Sequence, residues 1–158
     1  MKDSGGKVSF DPNLRPELLS IEKIREISEP LLSSCEIVLP SGKEARMLVG
    51  IEDTDRACKE LLVRGPKIIA LKLGRKGSRV YTKKGELEVP SFPVKEIDPT
   101  GAGDCFDAGF IVGLLKEWPL ERAARFANAV GALAVTKKGP MEGVPWLREA
   151  KRMVEDKL

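Results

Sequence analysis

Ile97-Asp98-Pro99-Thr100-Gly101-Ala102-Gly103-Asp104 runs without a break into the largely apolar segment 105–115, and the reading of this join decides the fold. Small residues at 101–103 leave backbone N–H groups uncovered. The apolar run behind them predicts a helix, whose N-terminal end favours negative charge. The stretch therefore reads as an anion site. Asp104 falls in the first turn, where a carboxylate stays ionised on a rigid element and can take a proton from a hydroxyl beside a phosphate. The same residues have a plain alternative: Asp is favoured at helix starts and Gly-rich turns often precede helices, so the stretch also reads as simple capping.

Downstream of the join the pattern is helical. Residues 105–115 are apolar nearly all round, which predicts a central helix, with Gly109 and Gly113 allowing close backbone approach. In so short a run the Gly-x-x-x-Gly spacing reads as packing, not as membrane dimerisation. Pro119 starts a second helix in which Ala123, Phe126, Ala127, Val130 and Leu133 share a face while Glu121, Arg122 and Arg125 face water. Residues 138–145 read as a loop and 146–158 as a terminal amphipathic helix.

Upstream, strands and helices alternate. Strand patterns occupy 7–10, 36–39, 67–73, 78–82, 86–89 and 92–97, the later ones separated by turns at 74–77 and 83–85. Ile21, Ile24, Ile27 and Leu31 recur at helical spacing behind Ser20 as N-cap, with Pro30 weakening the last turn. Ser41-Gly42-Lys43-Glu44 is a capping-box pattern opening a helix through Leu48, and a further helix spans 54–64 before Gly65-Pro66. This order predicts a mostly parallel, layered α/β sheet in one domain covering 1–158.

With 42% hydrophobic and 32% charged residues, the 158-residue chain has the composition of an ordinary soluble globular domain. A net charge of +3, with basic residues interspersed among Glu and Asp, leaves no nucleic-acid footprint. The longest apolar run, 108–115, is far short of a membrane span, and the first six residues hold no secretory h-region, so the expected address is the cytoplasm. The three cysteines are odd in number and widely spaced, and read as small hydrophobes. The absence of histidine excludes histidine-based triads and metal sites, leaving carboxylates and lysines as candidate general bases.

Two familiar phosphate motifs fail. The P-loop pattern does not occur, and Gly101-x-Gly103 reaches Phe106 where the Rossmann fingerprint needs a small residue. A longer match does hold. Asp98-Pro-Thr-Gly-Ala-Gly-Asp104 followed by Ala108-Gly109-Phe110-Ile111 resembles the C-terminal signature of the ribokinase (pfkB) family of sugar kinases. It is joined, in that family's order, by Asp11-Pro-Asn-Leu-Arg15, Leu39-Pro-Ser-Gly-Lys-Glu44, Lys72-Leu-Gly74-x-x-Gly77 and the segment 128–145.

The resemblance implies a ribokinase-like α/β fold and ATP-dependent phosphorylation of a sugar hydroxyl. Asp104 falls at the catalytic base, and Gly101, Ala102 and Gly103 at the anion hole for the transferring phosphoryl group. Gly74 and Gly77 match the nucleotide-facing loop, Asn128 and the Lys138-Gly139 loop lie where the family closes over adenine, and Lys72 is a candidate for neutralising phosphate or a strand-end lysine meeting water. Asp98 and Thr100 match positions that in many relatives bind a monovalent cation such as K+. Glu44 matches a glutamate that helps place Mg2+ through water, although Ser41 stands where the family usually has asparagine, and the capping box alone explains the same spacing. Asn13 and Arg15 resemble the form in 2-keto-3-deoxygluconate kinases and fructokinases, where they approach phosphate or acceptor; a guanidinium suits a carboxylated acceptor because it binds two oxygens at once.

Family members are considerably longer. The matching part is the C-terminal, ATP-side half, without the lid and most of the sugar pocket. Two functions follow: a sugar kinase working on a sugar or sugar acid with a separate N-terminal half, or a non-catalytic nucleotide-binding or interaction domain left by truncation. An uncovered sheet edge would also favour association of the chain with itself.

Overall fold

Ser9–Phe10 (β1), Ile37–Val38 (β2) and Ile68–Lys72 (β3) pair in parallel, Ser9 opposite Ile37 and Ile37 opposite Ile68. Ser78–Thr82 (β4) and Gly85–Val89 (β5) extend the sheet as a hairpin, giving the order β1-β2-β3-β4-β5. The computed structural model describes residues 5–155, which group into two compact units. The layered α/β fold expected from the alternating pattern is present.

The first unit runs to Leu73 and includes Arg79–Leu87. Its helices are Ile21–Ser34 (α1), Gly42–Val49 (α2) and Thr54–Val63 (α3), and they enclose a core of Leu32, Val38, Leu48, Leu61, Ile69, Leu71 and Tyr81. Ser20 caps α1 as expected, but the buried stripe is Ile24, Ser28 and Leu32, while Ile27 and Leu31 are exposed. Pro30 does not end the helix. Its missing N–H frees the carbonyl of Glu26, an exposed residue where water can serve, and the Ser33 and Ser34 hydroxyls both bond to the Pro30 carbonyl as the last turn closes. Arg79 Nη1 and Tyr81 Oη both donate to Asp55 Oδ1, at 2.8 and 2.6 Å, and so fasten β4 to α3. Burial pushes the neighbouring Cys58 thiol up to about 12, so it packs as a hydrophobe.

The second unit comprises Gly74–Ser78 and the described residues from Glu88 onward, with helices Ala102–Leu115 (α4), Leu120–Ala134 (α5) and Leu147–Glu155 (α6). Gly109 and Gly113 let α4 and α5 touch backbone to backbone: a Cβ at Gly109 would lie 2.9 Å from Ala127 Cα, and one at Gly113 2.7 Å from Ala123 Cβ. The expected water-facing side of α5 is narrower than predicted. Arg125 lies partly buried with its guanidinium 5.1 Å from the Phe92 ring centre, because Phe92 packs on Ala129 and Ala132.

Residues 92–97 do not form the predicted strand. Pro93 has no N–H to give a ladder, and the amides of Ile97 and Asp98 donate instead to the Val135 carbonyl just past α5, at 2.7 and 3.2 Å. The terminal helix predicted over 146–158 is seen as α6, and residues 156–158 of that expectation lie outside the described residues. No helix among the described residues is long and apolar enough to cross a membrane.

Candidate active site

The start of α4 carries no side-chain cap. Its N-cap is Gly101, at φ +80°, a left-handed conformation that a Cβ would strain and that brings Pro140 O within 2.9 Å of where that Cβ would stand. The Ala102 amide turns back to Pro99 O at 3.2 Å, which leaves the Gly103 and Asp104 N–H groups of the first turn for a ligand, and the helix dipole adds partial positive charge at the same point. Asp104 sits in this first turn with an exposed side chain, and no hydrogen bond or ion pair among the described residues engages its carboxylate. Asp104 makes no hydrogen-bonded cap, so any service to the helix is limited to the attraction of its charge to the helix end.

Asp98 ties the turn before α4 to the loop after α5. Its Oδ1 accepts from Thr100 N and Thr100 Oγ1 at 3.0 and 2.6 Å, and its Oδ2 accepts from Gly139 N at 2.9 Å. The Thr100 hydroxyl first, then the Thr100 and Gly139 amides, hold its pKa down at about 2. Because folding lowers this pKa, the tie is fully present above the ordinary carboxylate value of about 4 and is lost as pH falls through about 2. The Gly139 amide proton is accordingly expected to shift on acidification with a midpoint near 2 in an NMR titration; a midpoint in the ordinary carboxylate range contradicts the tie.

Two other nucleotide candidates meet at one carbonyl. Asn128 is 4% exposed, and its Nδ2 donates to Val89 O at 2.9 Å and Pro90 O at 3.2 Å, so its amide is turned onto backbone. Gly77, at φ +102°, rests directly against that same Val89 carbonyl. Gly74 opens a single 3-10 turn ending at Lys76, with open space where its Cβ would be.

The remaining candidates lie in the first unit and converge on the 11–15 loop. Lys72 Nζ, expected to meet phosphate or water, bonds Asp11 Oδ1 at 3.2 Å with only 16% of its side chain exposed. Glu44 completes the capping box, its Oε2 accepting from Ser41 N at 2.7 Å, while its Oε1 accepts from Leu14 N at 3.0 Å. Asn13 holds φ +39°, and the exposed Arg15 folds its Nη1 back onto Leu14 O at 3.2 Å. Asp11 opens the Asp11-Pro-Asn-Leu-Arg15 motif, but sequence alone assigned it no role of its own.

The described residues contain no group of three or more His, Cys, Asp or Glu side chains able to hold a metal ion. A divalent cation would therefore be held largely by nucleotide phosphates and water, which is the usual preference of Mg2+. Glu44, with lone pairs beyond the two that accept amides, fits a water-mediated place beside it. Ionised Asp98 and the Thr100 oxygens suit a monovalent cation.

Residues 1–147 match the family model described as pfkB family carbohydrate kinase. The chain is 37% identical over 134 residues to a ribokinase of Haemophilus influenzae, an alignment covering 82% of this chain and 44% of that protein. A solved Escherichia coli protein in complex with ATP and Mg2+ superposes with a TM-score of 0.92 at 39% identity, over 98% of this chain and 50% of that one. A double mutant of fructokinase from Vibrio cholerae, bound to fructose, ADP and potassium, gives 0.88 at 31% identity, over 98% and 52%. The chain spans about half the length of the curated relatives it matches.

Proposed function

The chain belongs to the pfkB family of carbohydrate kinases, and on that basis we propose that it supplies the ATP-side chemistry of phosphoryl transfer to a sugar hydroxyl. The observation that carries this reading is the unengaged, exposed Asp104 carboxylate on the first turn of a helix whose N-terminus has no side-chain cap. In the proposed reaction the acceptor hydroxyl gives its proton to Asp104 as its oxygen bonds to the γ-phosphorus of ATP. The bond from that phosphorus to the β-γ bridging oxygen breaks, and ADP leaves. Of the anion-hole amides expected at 101–103, those of Gly101 and Gly103 serve the charge that builds on the transferring group, where fixed donors are most effective, while that of Ala102 is held by Pro99 O.

Mg2+ would supply charge neutralisation on the phosphates, with Glu44 holding one of its waters; Asp98 and Thr100 would take K+. Gly74, Gly77 and the Gly139 loop are proposed to border the nucleotide, with Asn128 supporting that border through Val89 and Pro90. Lys72 would act on phosphate only indirectly, through its hold on Asp11. Asn13 and Arg15 are proposed to meet the acceptor, which favours 2-keto-3-deoxygluconate or a similar sugar acid, with fructose as the other candidate. The work is placed in the cytoplasm, where ATP is supplied.

The test is an ADP-release assay with ATP, Mg2+ and a panel of sugars and sugar acids, on the chain alone and on the chain joined to the sugar-binding half of a relative. Sugar-dependent ADP release by the joined protein is expected. A joined, folded protein that transfers phosphate to no sugar sinks the kinase reading and favours a nucleotide-binding or interaction domain.

A further inference from the structure

A capping box needs one oxygen from its glutamate, and at Glu44 Oε2 fills that need by accepting from Ser41 N. The other oxygen does something the motif does not call for: it accepts from Leu14 N, 30 residues earlier in the chain, at 3.0 Å. Leu14 opens onto the first unit's core, so the amide is held by a carboxylate while its side chain is held by packing. On the other side of Asn13, Asp11 is fixed by Lys72 Nζ at 3.2 Å. Asn13 itself stands at φ +39°, in the left-handed region that a non-glycine residue keeps only when its surroundings over-determine it. The loop is thus clamped on both sides of its least favourable residue, and Arg15, folded back on the carbonyls of Asn13 and Leu14, takes its direction from that loop.

We propose that Glu44 is a positioning residue: through the Leu14 amide it holds the 11–15 loop in the conformation that presents Asn13 and Arg15 to the acceptor. This is a task besides its water-mediated place at the metal, and its link to the acceptor rests on the kinase reading above. Lys72 is the second clamp on the same loop.

Two variants weaken the capping box alike but differ at the loop. Ser41→Ala removes the hydroxyl half of the box and keeps the carboxylate on Leu14; Glu44→Ala removes both of its bonds. Amide hydrogen exchange read by two-dimensional NMR on the 158-residue chain is expected to speed up at Leu14 by about tenfold or more in Glu44→Ala and to stay near wild type in Ser41→Ala. Should Glu44→Ala fail to fold, Glu44→Gln serves: the two N–H groups sit on different carboxylate oxygens, and in Gln one of those places is taken by an NH2 donor, so exchange at Leu14 or Ser41 must rise. Equal Leu14 exchange in wild type and Glu44→Ala, or in Glu44→Gln no change at either amide, overturns the proposal.

In the phosphoryl-transfer assay Glu44→Ala is expected to raise the acceptor KM about tenfold, with no recovery in excess Mg2+. Full recovery in excess Mg2+ would assign Glu44 to the metal alone and overturn its positioning role. A wild-type protein that transfers no phosphate counts against the kinase reading only, and exchange at Leu14 still decides whether the clamp exists.

Discussion

Asp104→Asn is expected to slow phosphoryl transfer by about a hundred- to ten-thousandfold, the range that a positioned general base contributes, while ATP affinity stays within about twofold. The amide has the size of the carboxylate and cannot take the acceptor's proton. Stability should hardly change. Asp104 is exposed and makes no hydrogen bond or ion pair among the described residues, so all that is lost is the attraction of a carboxylate to the helix end, about 0.3–1 kcal/mol. The split between activity and stability is what separates the two readings of this residue. Paired rate and urea-melt measurements on the protein joined to a sugar-binding half would decide it: an unchanged rate with a stability loss near the top of that range means that Asp104 serves the helix and not the reaction.

Gly77→Ala is expected to destabilise the second unit strongly. The new Cβ would collide with Val89 O and approach Ser91 N and Pro90 C to 2.6 and 2.7 Å, all of them backbone atoms. The backbone there is not free to yield, because Asn128 Nδ2 holds the carbonyls of Val89 and Pro90. To the overlap is added the cost of φ +102° for a residue with a Cβ, and together they amount to about 2–5 kcal/mol. Gly74→Ala is the control. At φ +59° with nothing within 4 Å it bears only the conformational cost, about 1–2 kcal/mol. Urea midpoints for the two variants should therefore differ clearly, and equal midpoints would mean that the Val89 wall is not rigid.

What the sequence revealed and what it hid divide along the range of the interactions. The apolar run of α4, its glycine contacts with α5, the cap at Ser20 and the Ser41 box are written in neighbouring residues, where spacing carries the information. The predicted strand at 92–97 failed because its strand-like residues hid the absence of a ladder partner and the Ile97 and Asp98 amides belong to Val135. Asp98 with Gly139, Lys72 with Asp11 and Glu44 with Leu14 are partners 41, 61 and 30 residues apart. No local pattern announces such pairs. The motif residues were therefore found by position, while the bonds that join them were not. Lys72 and Asn128 in particular are bonded to the protein's own groups, where the resemblance alone would have aimed them at the nucleotide.

The strand order β1-β2-β3-β4-β5 follows the order of the chain, and this bears on how the sheet is made. Each strand adds beside the one synthesised just before it, across one or two helices for the parallel pairs and across a short turn for the hairpin. Among the described residues no strand has to be threaded between two already in place. The hairpin pairing is local and quick to form, whereas the parallel pairings of Ser9 with Ile37 and of Ile37 with Ile68 must close over a whole crossover and are slower. A sheet of this kind can grow from one side as the polypeptide leaves the ribosome, with β1 and β2 docked before α4 has been translated.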